Sequence, residues 1–303
     1  MFMISRFHEL LKLLPRGAFD RIVKTHQADK YSKGFTCRDQ MVAMIYAQLS
    51  GVSSLRVLEA GFNSQHTQHF HLGTKKIKCS TLSDANGKRK TEVFADVAKL
   101  LMSQAKRSLR REGEALLYLL DATSISLKGP GFDTWTSGSS TRNTQGIKLH
   151  VLYADHEEIP IQHNFTAANV NDIEEGRKLT IEPEAIYIFD KGYCDYNWWH
   201  KIDGQNAQFV TRFKYNAALK VVSALPISEA DGAFVLKDEI VRFVNKSPRG
   251  GRKNHYTKSL RRVTIDRPEH VRPLVLATND LVSSAAAIAR RYQDRWAIEL
   301  FFK

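Results

Sequence analysis

Residues 116–127, LLYLLDATSISL, and residues 185–193, AIYIFDKGY, decide the fold. Each opens as a continuous apolar run of the kind that forms a strand covered on both faces. Each run closes on an aspartate, Asp121 in the first and Asp190 in the second. A carboxylate at the end of a buried strand is costly unless it is paired or bound to a cation. A single one is commonly a strand-end turn residue. Two of them on strands of one sheet point to a shared cation.

The segments around these runs supply the rest of the sheet. GIKLHVLYAD (146–155) and IPIQHNFTA (159–167) read as strands joined in a hairpin by the turn at 155–158. Residues 169–179 read as a short helix, 196–204 as another, and QFVTRFK (208–214) as a fifth strand. Three strands, a helix, then alternating strand and helix is the order of an α/β ribonuclease-H-like core, in which the strand of Asp190 lies beside that of Asp121. Residues from about 215 to 280 break the pattern with short strands: ALKVVSAL, AFVLKDEIVRFVN, SLRRVTIDR and RPLVLATND. They predict a β-rich insertion that carries the basic loop SPRGGRKNHYTKSLRR (247–262). Arg249, Arg252 and Lys253 in that loop suit contact with a phosphate backbone, against the plainer alternative of a solvated loop. A helix from Ser283 ends the sequence. Its Tyr292, Arg295 and Glu299, spaced by three and four, share one face.

The N-terminal third reads as helical. Phe7, Leu10, Leu11 and Leu14 recur at helical spacing until Pro15-Arg16-Gly17 stops them. Thr36 or Asp39 caps a helix that Gly51 ends, and LRVLEAGF (55–62) forms a short one. KKIKCSTLSDANGKRK (75–90) carries six Lys and Arg residues around Ser80-Thr81, which can cap a further helix. Short helices with basic starts resemble a helix-turn-helix module, with Lys75, Lys76, Lys88 and Arg89 as candidate DNA contacts. A long helix spans Glu92 to Arg111. His66, His69 and His71 are close in sequence. Strand alternation would put His69 and His71 on one face, but no carboxylate or cysteine completes a zinc set. The domains therefore divide as a helical DNA-binding domain, 1–112, and a catalytic domain, 113–303.

Charge follows the same division. The 303 residues carry a net charge of +13, which favours a polyanionic partner such as nucleic acid. Residues 1–110 hold 19 basic and 8 acidic side chains, residues 111–200 hold 7 and 14, and residues 201–303 hold 19 and 10. Basic flanks thus enclose an acidic middle. Three scattered cysteines exclude a disulfide framework or a four-cysteine zinc site. No apolar run reaches the roughly 18 residues of a membrane span, and charges interrupt the N-terminal apolar stretch. A soluble, intracellular protein with no membrane partner is expected. Hard carboxylate oxygens on Asp121, Asp190 and Glu299 would select Mg²⁺ or Mn²⁺. Two such ions can activate a nucleophile and stabilise a leaving oxygen in phosphoryl transfer.

At Tyr292-x-x-Arg295-x-x-x-Glu299 the sequence resembles the Y-R-E-K signature of DDE transposases of the insertion sequence four family. DATSISL (121–127) looks like that family's first catalytic block, and TAANVNDI (166–173) with DKGYCDYNWW (190–199) looks like its second. ADKYSKGFTCRDQMVAMIYAQLSG (28–51) resembles the domain that precedes the core in one branch. The resemblance implies that Asp121, Asp190 and Glu299 form the metal-binding triad, Asp190 rather than nearby Asp195 occupying the motif position. It implies that Tyr292 and Arg295 hold phosphates at the transposon end. It further implies two Mg²⁺ or Mn²⁺ ions per site, cleavage at terminal inverted repeats, and strand transfer into target DNA. A homodimer on double-stranded DNA in a prokaryotic cytoplasm, associated with the nucleoid, is the expected setting. The signature's lysine would fall seven residues beyond Glu299, past Lys303, so a truncated chain with impaired activity is expected. Two other readings remain open here: a ribonuclease-H-like nuclease without strand transfer, and a non-catalytic DNA-binding remnant.

Overall fold

The computed structural model describes residues 2–108, 116–127, 145–156, 158–229, 231–244 and 253–303. The chain divides into two compact units, Met1–Arg107 and Ser108–Lys303.

The first unit is helical: α1 (Phe2–Lys12), α2 (Arg16–Thr25), α3 (Cys37–Ser50), α4 (Leu55–Ser64), α5 (His69–Leu72), α6 (Cys79–Lys88) and α7 (Glu92–Ser108). Helix α3 starts at a capping box. The Thr36 hydroxyl accepts from the Asp39 amide, and the Asp39 carboxylate accepts from the Thr36 amide at 2.8 Å. Gly51, at φ +60°, ends it in the left-handed conformation that glycine adopts without strain. Helix α2 departs from the sequence reading. Pro15 ends α1, but its fixed φ also prepares the start of a new helix at Arg16. Helix α6 departs in its cap. Neither Ser80 nor Thr81 caps it; the Glu59 carboxylate accepts from the Cys79 amide at 2.7 Å instead. Two apolar clusters hold the unit. Phe7, Leu11, Val42, Leu58, Phe62 and Leu82 form one, and Leu14, Phe19, Met41, Val93 and Val97 another.

The histidine stretch is a short 3-10 turn followed by α5, not a strand. His69 stacks on Phe62 with ring centroids 4.5 Å apart, and its Nε2 lies 3.0 Å from the Phe62 carbonyl oxygen. It is a core histidine.

The second unit is built on one sheet: β1 (Leu117–Ser126), β2 (Gly146–Ala154), β3 (Ile159–Ala167), β4 (Ile186–Phe189), β5 (Gln208–Arg212), β6 (Leu219–Ala224), β7 (Val235–Phe243), β8 (Leu260–Ile265) and β9 (Leu274–Thr278). The spatial order is β3-β2-β1-β4-β5-β9-β8-β7-β6. β1, β4 and β5 pair in parallel, and the other neighbours pair antiparallel. The first five strands in this order form a ribonuclease-H-like core. The strands between 215 and 280 extend that sheet edge to edge, because β9 pairs with β5.

Strand alternation sorts the core onto two faces. Tyr118, Leu120, Tyr187, Phe189 and Phe209 point to one face and pack with Trp198, Trp199 and Ile202 of α9 (Tyr196–Gly204). The short α8 (Asp172–Gly176) adds Ile173 to this side. Leu117, Leu119, Ile186, Ile188 and Val210 point to the other face. They meet Ile288 and Tyr292 of α10 (Ala285–Asp294) and Ile298 of α11 (Trp296–Phe301). The sequence predicts one continuous terminal helix. The structure interrupts it with a turn at Arg295.

Candidate active site

The site forms where the parallel pairing of β1 with β4 ends. Leu120 of β1 pairs with Phe189 of β4 as the last pair of their parallel ladder, so the next residues, Asp121 still within β1 and Asp190 just past β4, stand side by side. Neighbouring strands lie about 4.8 Å apart. Alternation sends both carboxylates to the face that carries α10 and α11, two residues beyond buried Leu119 and Ile188. The same count applied to β5 places Arg212 two residues beyond Val210. Sequence reading missed Arg212. Its signal was present: a lone charge ending the apolar run FVTR, as Asp121 and Asp190 end theirs.

Arginines knit the acids together. Arg212 donates to Asp190 in a short ion pair. Arg295 Nη1 lies 3.5 Å from Asp121 Oδ2, and its Nη2 lies 2.5 Å from Glu299 Oε1. Asp121 and Glu299 therefore flank one guanidinium. That guanidinium also stands 5.8 Å from the Tyr292 ring centroid, within cation–π range.

The electrostatics are uneven. Burial pushes the Asp121 carboxyl up to about 6, and the negative charges of Asp190 and Glu299 add to the shift. The Ala122 amide, which donates to Asp121 Oδ1 at 2.8 Å, and Arg295 oppose it only in part. Asp190 is also penalised by burial, yet the Arg212 hydrogen bond and the Lys191 amide hold it below the usual carboxylate range. Burial raises the Tyr292 hydroxyl above the usual phenol value. Three polar atoms around the acids are buried without a hydrogen-bond partner among the described residues: Arg212 Nε, Arg295 Nε and Tyr292 Oη.

Among the described residues, no three Asp, Glu, His or Cys side chains stand arranged to hold a metal ion. Arg295 and Arg212 take up oxygens of all three carboxylates. The donor set nevertheless suits a hard divalent cation: three carboxylates in mutual electrostatic range, one of them raised to about 6 by burial and by the charges of the other two.

The basic residues singled out from the sequence lie elsewhere. Lys75 and Lys76 are exposed on the extended stretch before α6, where the Asn63 side chain bonds both the amide and the carbonyl of Ile77. Lys88 is exposed. Arg89 is not a surface cation. Its guanidinium bonds the Thr36 carbonyl and Gln40 Oε1, each at 3.0 Å, and pairs with Asp29 at 3.4 Å. It holds helices together, which corrects its reading as a DNA contact. Lys253 is exposed, and its carbonyl accepts from Asn197. Arg249 and Arg252 lie outside the described residues.

Comparison with known proteins identifies the family. A family described as Transposase DDE domain matches residues 112–303. The chain belongs to the DDE transposase family. A Domain of unknown function (DUF4372) matches residues 3–75 of its helical unit. A Sinorhizobium fredii protein named "Putative transposase y4zB" is 42% identical over 225 residues, covering 73% of this chain and 60% of its own length. A Geobacillus stearothermophilus protein named "Probable transposase for insertion sequence element IS5377" is 28% identical over 239 residues, 76% of this chain and 59% of its own. The chain thus spans about three fifths of the relatives it matches. A solved synaptic complex of the piggyBac transposase with hairpin DNA superposes on 98% of this chain and 66% of that one, with TM-score 0.49 and 10% identity. No single described helix is long and apolar enough to cross a membrane.

Proposed function

We propose that the DDE domain cuts DNA at the ends of an insertion sequence and joins the freed end to target DNA. The observation that carries this reading is the side-by-side placement of Asp121 and Asp190 where the parallel pairing of β1 and β4 ends, with Glu299 tied to Asp121 through Arg295. Asp121, Asp190 and Glu299 would hold Mg²⁺ or Mn²⁺, two ions when the site is full. Such ions supply Lewis-acid stabilisation of charge on the reacting phosphate.

The chain's own residues do the rest. In the cutting step a water oxygen bonds to phosphorus, the bond from phosphorus to O3′ breaks, and a 3′-hydroxyl is released. In the joining step that hydroxyl attacks a target phosphodiester and displaces another 3′-oxygen. Neither step needs an oxidant or a nucleotide cofactor. Arg295 and Arg212 neutralise the acids in the structure described. With the carboxylates holding a metal, both guanidiniums would be available to bind phosphate, for which their planar forks are suited. Tyr292, beside Arg295, offers its hydroxyl to the same phosphate. The exposed lysines of the helical unit and Lys253 would hold the DNA backbone, and a homodimer would bring two ends together.

Mn²⁺ binding followed by electron paramagnetic resonance tests the site directly. Binding is expected in the parent chain and lost in Asp121→Asn/Asp190→Asn. Unchanged binding in the double variant would remove the acids from the proposal. Terminal-repeat cleavage with Mg²⁺, followed by strand joining from pre-cut ends, then separates a transposase from a nuclease that only cuts.

A further inference from the structure

The loop between α2 and α3 and the C-terminal end of α6 enclose a cleft of about 660 Å³ within the helical unit. Four exposed lysines border it: Lys30 and Lys33 from the loop, Lys88 and Lys90 from the end of α6. Asp84 is the acidic residue among those lining it, a surface partner 3.8 Å from Lys88. No carboxylate pairs with Lys33 or Lys90 among the described residues.

Tyr31 stands at this cleft with 88% of its surface exposed. Its φ of +67° is a left-handed backbone that a bulky L-residue adopts only at a cost. The Lys30 ammonium lies 5.4 Å from its ring centroid. The loop is fixed from below. Asp29 accepts from the Cys37 amide at 2.7 Å, and half-buried Arg89 bonds the Phe35 and Thr36 carbonyls while stacking 5.3 Å from the Phe35 ring centroid. The strained tyrosine and the lysines are therefore presented on a rigid floor. An exposed aromatic ring among exposed lysines in a concave site matches a nucleic-acid backbone, which offers phosphates to the cations and sugar faces to the ring.

We infer that this cleft binds the sugar-phosphate backbone of duplex DNA, with Tyr31 packing against it. The inference rests on the DNA-processing function proposed above and assigns a surface to the helical unit. It also separates two roles that lie next to each other in sequence. Lys88 and Lys90 meet DNA, while Arg89 between them builds the cleft.

Duplex affinity of the full chain, measured against salt concentration, tests it. In Lys30→Gln/Lys33→Gln/Lys88→Gln/Lys90→Gln the slope of log K against log salt should become shallower by about 3.6, at roughly 0.9 per phosphate contact. Tyr31→Gly accepts the left-handed backbone, so it should fold at least as stably. It is expected to bind about tenfold more weakly with the slope unchanged. Parent slope and affinity retained by the quadruple variant would overturn the cleft while leaving DNA binding intact. A parent chain with no salt-dependent duplex binding would overturn the DNA-processing reading itself.

Discussion

Two ionic networks on the same sheet use the same residue types and arrive at opposite states. Where β9 passes into α10, Asp280 accepts from the Val282 and Ser283 amides at 2.9 Å, from the Ser283 hydroxyl, and from Arg291 at 2.7 Å. Beside it, Arg261 grips Asp238 with two hydrogen bonds of 2.8 and 2.6 Å, and also donates to the Ser283 carbonyl. The Asp280 carboxyl overcomes its burial and falls to about 2 through the Ser283 and Val282 bonds and Arg291. Where the parallel pairing of β1 and β4 ends, the Asp121 carboxyl instead rises to about 6, and Arg212, Arg295 and Tyr292 keep buried donors unbonded. A satisfied network fixes structure. One left with open donors is a candidate ligand site. The satisfied network also anchors α10, the helix that carries Tyr292.

Breaking the closed network should have the largest effect. Asp238→Ala leaves the buried Arg261 charge without its partner, and a loss of about 3–5 kcal/mol is expected by urea unfolding. Arg261→Met added to Asp238→Ala should recover much of it. A loss below about 1 kcal/mol in the single variant would show that the pair is solvated.

Asp280→Asn should cost about 2 kcal/mol near neutral pH, the value of a carboxyl shifted from 3.8 to about 2. The folded pKa is depressed. The contribution is therefore complete above the unfolded value and is lost as pH falls through the folded one. Parent and variant unfolding energies should converge between about pH 4 and 2. Curves that stay parallel there would assign the effect to packing.

Asp121→Asn should act in the opposite direction. In metal-free chain its carboxyl titrates near 6 when folded and near 3.8 when unfolded, so the folded state binds the extra proton between those values. Stability should fall as pH rises through that window. The variant should therefore be more stable than the parent at pH 7, by about 1–2 kcal/mol after screening at its partly exposed edge. It should bind no Mn²⁺. A variant less stable than the parent at pH 7 would place Asp121 in the closed class.

Much of this contrast was legible in the sequence, and the illegible part has physical causes. Asp121 and Asp190 stood out because apolar runs lead into them, and strand order alone placed them together. The capping box at Thr36 and Asp39 and the stop at Gly51 are local signals of backbone chemistry. Partner choice is not local. Arg89 and its neighbours Lys88 and Lys90 look alike in a basic run, and only tertiary packing buries one and exposes the others. Pro15 was read as an end because one residue serves two helices. The pairing of β9 with β5 depends on an edge that no periodicity records. Arg212 had a signal, but a cation ending a strand draws less notice than an anion.

The smallest expected effect sharpens the contrast most. The Tyr292 hydroxyl is buried without a partner, so Tyr292→Phe removes an unsatisfied group and keeps the ring that packs in the core. The fold should lose nothing measurable, and a gain of up to about 1 kcal/mol is reasonable where a lone buried hydroxyl is deleted. A tyrosine hydroxyl in a closed network would behave differently, since its deletion strands a partner. If the hydroxyl serves a DNA phosphate, duplex cleavage should weaken while thermal unfolding stays at or above the parent's. Loss of stability together with activity would show that the hydroxyl was bonded within the fold, and Tyr292 would then belong with Asp280 rather than with Asp121.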